Sequence, residues 1–289
     1  MTELKNKKIL IVGLGLIGGS YAAALSTSGY EVGGMDRSAE AVAYALAHGF
    51  IAHGQSDVTK EYVSQFDMIV FALYPHVLFE WAEKYASFLK KGALVTDVTG
   101  VKSEVVYRMQ GLLGEQAEFV GAHPMAGREV SGVENARADL FHGANYIVTP
   151  TPANTEEAVL LCEELGRALG VGSVSRLSPE KHDEMIGFLS QLTHCIAVAL
   201  MTCKDSHQLV DYTGDSFRDL TRIARINENM WSELFLMNKK ELLSQMDLFL
   251  EHFVSLKNAL ESEDSERMKQ MMRLSTERRS YFDKKKNHS

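Results

Sequence analysis

KILIVGLGLIGGS, residues 8–20, passes from an apolar run into closely spaced glycines, and the YAAALSTSG that follows has the composition of a helix. A strand, a tight glycine turn and a helix in that order read as the opening βα unit of a dinucleotide-binding sheet; without the strand and the helix the same glycines would be an ordinary turn. Gly13 permits the turn, Gly15 lets the backbone approach a pyrophosphate, and Gly18 lets helix and strand pack closely. The phosphates then lie at the helix start, at Leu16 and Ile17, where unpaired N–H groups and the helix dipole favour negative charge.

The second apolar run, YEVGGMD (30–36), ends on Asp36, close to the ~20-residue spacing at which a carboxylate accepts the ribose hydroxyls of NAD. That carboxylate would repel a 2'-phosphate, which Arg37 next to it softens, so the preference is for NAD over NADP. Further runs, DMIVFAL (67–73), ALVTDV (93–98), EFVGAH (118–123), NYIVTP (145–150) and GVGSVSRL (170–177), alternate with helical patterns, as in a parallel sheet flanked by helices. After Ser178-Pro179, an N-cap followed by a first-turn proline, strand-like runs cease. The chain therefore reads as α/β: a Rossmann-type dinucleotide-binding domain over 1–178, then an all-α helical domain over 179–289 with helices near 179–203, 205–212, 215–226, 228–260 and 263–283.

Composition narrows the function. With 289 residues and 45% hydrophobic content the chain can bury a substantial core. A net charge of -8 argues against a general nucleic-acid binder, and the KKK at 284–286 reads as a solvated tail. Cys162, Cys195 and Cys203 have neither disulfide-framework nor zinc spacing, so no metal is expected and a reducing cytoplasm fits best. No signal peptide and no run of about 18 apolar residues is evident, so no membrane association is expected.

Three stretches carry candidate chemistry. VGAHPMAG (120–127) ends an apolar run on His123, and Pro124 cannot continue a strand ladder, so the imidazole should stand at a strand end over the cofactor crevice; a core histidine is the bland alternative. On the helix after Pro179, Asp183, Gly187, Ser190 and His194 recur at i, i+4, i+7 and i+11, a polar stripe expected to face either a wet cavity or solvent. In DSFRDLTRIAR (215–225), Arg218, Arg222 and Arg225 share one helical face, suited to a carboxylate ligand or to plain solvation.

Together GLGLIGGS (13–20), DVTGVK (97–102), HPMAGREVSGVENA (123–136), SPEKHDEMIGFLSQLTH (178–194) and FRDLTRIARINENMW (217–231) resemble the prephenate dehydrogenase family, and HPMAG followed by E-x-SG is the most specific part of the likeness. The resemblance implies NAD-dependent oxidation of prephenate at C4 with loss of CO2, giving 4-hydroxyphenylpyruvate on the route to tyrosine. It assigns His123 as the base for the C4 hydroxyl, Arg222 to a substrate carboxylate, and Ser190 and His194 to further polar contacts. Glu129, His182 and Asp219 match positions of an ionic network shaping entry to the site.

Two departures stand out. D-x-x-S-x-K of the family is Asp97-Val98-Thr99-Gly100-Val101-Lys102 here, so a serine near His123 and the nicotinamide is missing and Thr99 is its expected substitute. S-H-L-P-H becomes Ser190-Gln191-Leu192-Thr193-His194, with Gln191 off the polar stripe. The chain looks like a minimal, monofunctional form, with apolar Trp231, Leu234, Phe235, Leu242, Met246, Phe249 and Phe253 pointing to a homodimer through the helical part. Arogenate as substrate and a non-catalytic NAD sensor are the alternatives. A β-hydroxyacid dehydrogenase would carry K-x-x-x-N at the start of the helical part, and Lys181 is followed by Met185.

Overall fold

The computed structural model describes residues 3–205 and 207–283, so the basic tail at 284–286 lies outside the described residues. The first sheet has six parallel strands in the order β3-β2-β1-β4-β5-β6: β1 (Ile9–Val12), β2 (Val32–Met35), β3 (His53–Gln55), β4 (Met68–Phe71), β5 (Ala93–Asp97) and β6 (Ala117–Phe119). Every residue of β1, β2, β4 and β5 is buried, as expected of a parallel sheet covered on both faces. Helices α1 (Leu16–Thr27), α2 (Ala39–Ala47), α3 (Lys60–Val63), α4 (Pro75–Tyr85) and α5 (Ser103–Leu113) make the crossovers. The order of strands reverses between β1 and β4, the point at which such sheets open a crevice for ligands.

The run 118–123 is not one strand. β6 pairs with β5, Val120 N–H donates to Val95 O at 2.9 Å, and the chain then leaves the sheet as β7 (Gly121–Pro124). There it pairs antiparallel with β8 (Asn145–Thr149), which runs parallel to β9 (Ser173–Arg176), making a second sheet of three strands. His123 is thus inside an antiparallel pair opposite Ile147 rather than at a parallel strand end, and Pro124 is the last ladder residue. β3, only HGQ, has no apolar run by which to be read; as an edge strand it needs none. Between β8 and β9 runs α6 (Glu156–Ala168).

From Pro179 to Thr202 the chain is continuously helical: α7 (Pro179–Ile186), a π-helical turn (Gly187–Gln191) and α8 (Leu192–Thr202). Ser178 caps it, accepting Lys181 N–H at 3.2 Å. By length and mean hydropathy (1.6) this helix is apolar enough to cross a membrane, contrary to the expectation of no such run, because residues 185–202 contain no Asp, Glu, Lys or Arg. Its Ile186, Gln191, Leu192 and Ala197 are nevertheless buried within the protein. α9 (Asp215–Thr221), α10 (Glu228–Met237), α11 (Lys239–Glu261) and α12 (Ser265–Ser280) complete the chain.

Among the described residues two compact units result, dividing after Lys239, so the first runs well past the 178/179 change from strands to helices. In it, α7 is joined to α5 by Asp183, whose carboxylate accepts Lys102 N–H at 2.8 Å and Ser103 N–H at 2.7 Å. In the second unit Leu248, Leu250, Phe253, Val254 and Leu260 of α11 are exposed.

Candidate active site

The glycine loop has the form a dinucleotide needs. Gly13 takes φ +93°, a conformation that favours glycine, and a Cβ on Gly18 would stand 1.8 Å from Gly13 O, so turn and helix meet at backbone distance. A Cβ on Gly15 would meet nothing within 4 Å, and α1 starts there without a side-chain cap, leaving first-turn N–H groups of the helix that begins with Leu16 and Ile17 for an anion. Asp36, just after β2, accepts Leu14 N–H at 2.7 Å and Ser38 N–H at 2.8 Å, which hold its carboxylate against the loop; Arg37 is exposed. The cradle therefore fits an adenine dinucleotide with an unphosphorylated ribose.

The glycine loop and the surroundings of His123 border one hydrophobic cluster. A Cβ on Gly13 would touch Leu73 after β4; Leu73 packs in the cluster that holds Leu234; and a Cβ on Gly100 would lie 3.5 Å from Leu234 Cδ1 and 4.0 Å from His123 Cε1. β7 is held beside the carboxyl end of β5 by Ala122 N–H, which donates to Asp97 Oδ1 at 3.2 Å.

Around His123 lies a buried polar cluster that sequence reading did not assemble. His123 Nδ1 is 2.9 Å from His182 Nε2, and His182 Nδ1 is 2.8 Å from Asp183 Oδ1. Lys102, with no exposed side-chain surface, donates through Nζ to Asp97 Oδ2 at 2.6 Å and Thr99 Oγ1 at 3.1 Å. Burial, then the neighbouring His182 and Lys102, hold the His123 pKa well below its ordinary value. Burial also lowers that of His182, against the pull of Asp183. Both imidazoles are therefore neutral near pH 7. The signals were present in the sequence as DVTGVK and as the dipeptide His182-Asp183, but neither shows that the two segments meet.

Several expected placements change. Thr99 is buried and its hydroxyl is engaged by Asp97, Val101 O and Lys102, so it belongs to this cluster and does not replace a serine at Gly100. Glu129, His182 and Asp219 do not form one network: His182 is enclosed with His123, Glu129 pairs with Arg222, and Asp219 makes no ion pair among the described residues. The arginine face breaks up, because α9 ends at Thr221, residues 222–224 tighten into a 3-10 turn and Arg225 is extended; Arg218 pairs with Asp215 instead.

The π turn likewise splits the polar stripe, since a wider turn changes the phase of the residues after it. Asp183 and Gly187 go inward, while Ser190 and His194 are partly exposed. Gln191, placed off the stripe by a regular helix, is buried, donates to Leu234 O at 3.0 Å and accepts from Asn238 Nδ2 at 2.7 Å. His194 donates from Nδ1 to Ser190 O at 2.9 Å and lies over Trp231, ring centroids 3.8 Å apart. Burial lowers its pKa too, with Glu129 and Arg222 close enough to act on it in opposite directions.

Comparison with known proteins accords with this geometry. Residues 21–174 match the family described as "Prephenate dehydrogenase, nucleotide-binding domain", and residues 178–274 match "Prephenate dehydrogenase, dimerization domain". The prephenate dehydrogenase of Bacillus subtilis is 32% identical over 93% of this chain and 74% of its own length; that of Lactococcus lactis is 34% identical over 90% and 73%. The crystal structure of prephenate dehydrogenase from A. aeolicus, in complex with hydroxyphenyl propionate and NAD+, superposes with a TM-score of 0.88 at 32% identity, covering 98% of this chain and all of that one. With both of its parts matched and these relatives similar over most of their length, the chain belongs to the prephenate dehydrogenase family.

Proposed function

We propose that this chain oxidises prephenate at C4 with NAD, releasing CO2 and forming 4-hydroxyphenylpyruvate, and that His123 is the base. The observation that carries this is a neutral imidazole beside Gly100, just past the end of β5, hydrogen-bonded to His182. Bound NAD supplies the hydride acceptor. His123 accepts the hydrogen bond and then the proton of the C4 hydroxyl, a contribution of ~10²- to 10⁴-fold in rate. Arg222 binds a substrate carboxylate with the N–H groups Glu129 leaves, and Ser190 and His194 orient the substrate. Aromatisation of the ring drives out its carboxylate.

In this reading residues 1–178 bind NAD, with Asp36 selecting it over NADP, and 179–289 complete the substrate site and mediate a homodimer. Exposed Leu209, Val210, Tyr212, Phe217 and Leu220 in the first unit, and the apolar face of α11 in the second, support a surface shared between subunits. Unpaired Cys162, Cys195 and Cys203 fit a cytoplasmic protein.

The test is NADH formation by the purified protein with prephenate and with arogenate, each with NAD and with NADP. Turnover of prephenate with NAD is the expected result. Turnover of arogenate alone would overturn the substrate assignment, and NAD binding without turnover of either would overturn catalysis.

A further inference from the structure

The His123–His182–Asp183 chain has a donor and acceptor order that follows from its members. An ionised carboxylate only accepts, and Asp183, although burial raises its pKa, is held below the usual carboxylate range by hydrogen bonds from His182 and Ser103. The proton of neutral His182 is therefore on Nδ1, which leaves Nε2 bare. A bare Nε2 at 2.9 Å from His123 Nδ1 must accept, so the proton of His123 is on Nδ1 and its own Nε2 carries the lone pair. Cε1, the ring atom between the two nitrogens, would lie 4.0 Å from a Cβ on Gly100, whose nearest other neighbour is Leu234 Cδ1 at 3.5 Å.

The charges around the pair act in opposite senses: Lys102 disfavours the charged form of both rings, and Asp183 and Asp97 favour that of His182. Asp97 on β5 and Asp183 on α7 are two carboxylates; the Lys102 ammonium bonds Asp97, and the Lys102 backbone N–H bonds Asp183. Cys162 on α6 is held as a neutral thiol, its pKa pushed by burial up to about 11. The formal sum is one negative charge, and a proton taken up by the imidazole pair brings the cluster to zero.

We infer that Asp183 and His182 are positioning residues: Asp183, acting through His182, sets His123 with its lone pair on Nε2, facing the substrate, and compensates the charge that His123 acquires. This rests on His123 being the base. It concerns neither Glu129 nor Arg222, and it gives His182 a role inside the site rather than at its entrance.

The experiment compares His182→Gln, His182→Asn and His123→Asn. A Gln amide reproduces the Nε2 position of histidine and can accept from His123 Nδ1–H; an Asn amide reproduces the Nδ1 position and reaches only Asp183. Expected is an order of kcat of wild type, then His182→Gln, then His182→Asn, with the last reduced about 10²-fold or more, toward the ~10⁴-fold seen when a catalytic histidine is left in the wrong tautomer. KM for prephenate and Kd for NAD should change little. In ¹⁵N-histidine NMR at pH 7, the His123 signals, identified by their loss in His123→Asn, should show a bare Nε2 in wild type and in His182→Gln, and a reversed tautomer in His182→Asn.

Equal kcat in His182→Gln and His182→Asn, or a His123 tautomer unchanged in both, would overturn the positioning role even if His123→Asn is inactive. Full activity of His123→Asn would overturn the base assignment itself. Thermal melts of each variant identify a loss caused by unfolding, and a wild-type His123 found protonated on Nε2 would overturn the tautomer reading whether or not the variants fold.

Discussion

His123 Nδ1 lies 2.9 Å from His182 Nε2, so two histidines from β7 and α7, 59 positions apart in the chain, share one half-buried hydrogen bond. Neither ring is able to accept a proton there as readily as in water, because burial disfavours the charged form of both.

This depression sets an acid limit to stability. Unfolded histidines take up protons near pH 6.5, while the folded ones take them up at lower pH. Between those values the unfolded chain binds more protons, so stability is fully present above about pH 6.5 and is lost as pH falls through the folded values. Thermal melts from pH 7.5 to 5 should show a falling Tm, and the fall should be smaller in His123→Gln.

Activity should hold out further than solution histidine chemistry suggests. His123 remains unprotonated below pH 6.5, and the acid limb of kcat/KM is expected below that value. A limb centred at pH 7 or above would show that another group limits the rate.

Removing one member of the buried Lys102–Asp97 pair leaves a charge without its partner. Lys102→Met is expected to cost about 3–5 kcal/mol in urea unfolding. The double variant Lys102→Met, Asp97→Asn should recover part of this, since no uncompensated charge is left inside.

The two inner glycines of the loop should separate binding from folding. Ala at position 15 meets no atom, so Gly15→Ala should alter stability by less than about 1 kcal/mol. Its methyl group occupies the space proposed for the pyrophosphate, and Kd for NAD should rise about tenfold or more. Ala at position 18 strikes Gly13 O, so Gly18→Ala should lower Tm as well as affinity. Calorimetric titration and thermal melts read the two effects independently.

Gly100→Ser is expected to be tolerated. Its Cβ would have Leu234 and His123 at 3.5–4.0 Å, ordinary contact distances, and stability should stay within about 0.5 kcal/mol. A large loss of stability on this change would mean that the space beside His123 is smaller than the structure places it.

The nucleotide-binding half was legible from local pattern alone. β1, the glycine turn, α1 and Asp36 occupy one continuous stretch, and each signal is a short-range consequence of backbone sterics or of apolar burial. The change of regime at Ser178-Pro179 was legible for the same reason, a capping residue and a proline acting on the turn they begin. His123 and Asp183 could be singled out by type and spacing. That they belong to one hydrogen-bonded chain could not, nor that Lys102 lies against Asp97 with Thr99 between them, because those contacts arise only when β7 leaves the parallel sheet and α7 docks on the start of α5. The sequence determined which residues are chemically able to act, since periodicity and turn chemistry are local. Tertiary structure decided which of them touch, since a π turn and a strand that changes sheets alter side-chain phase in ways no regular repeat encodes.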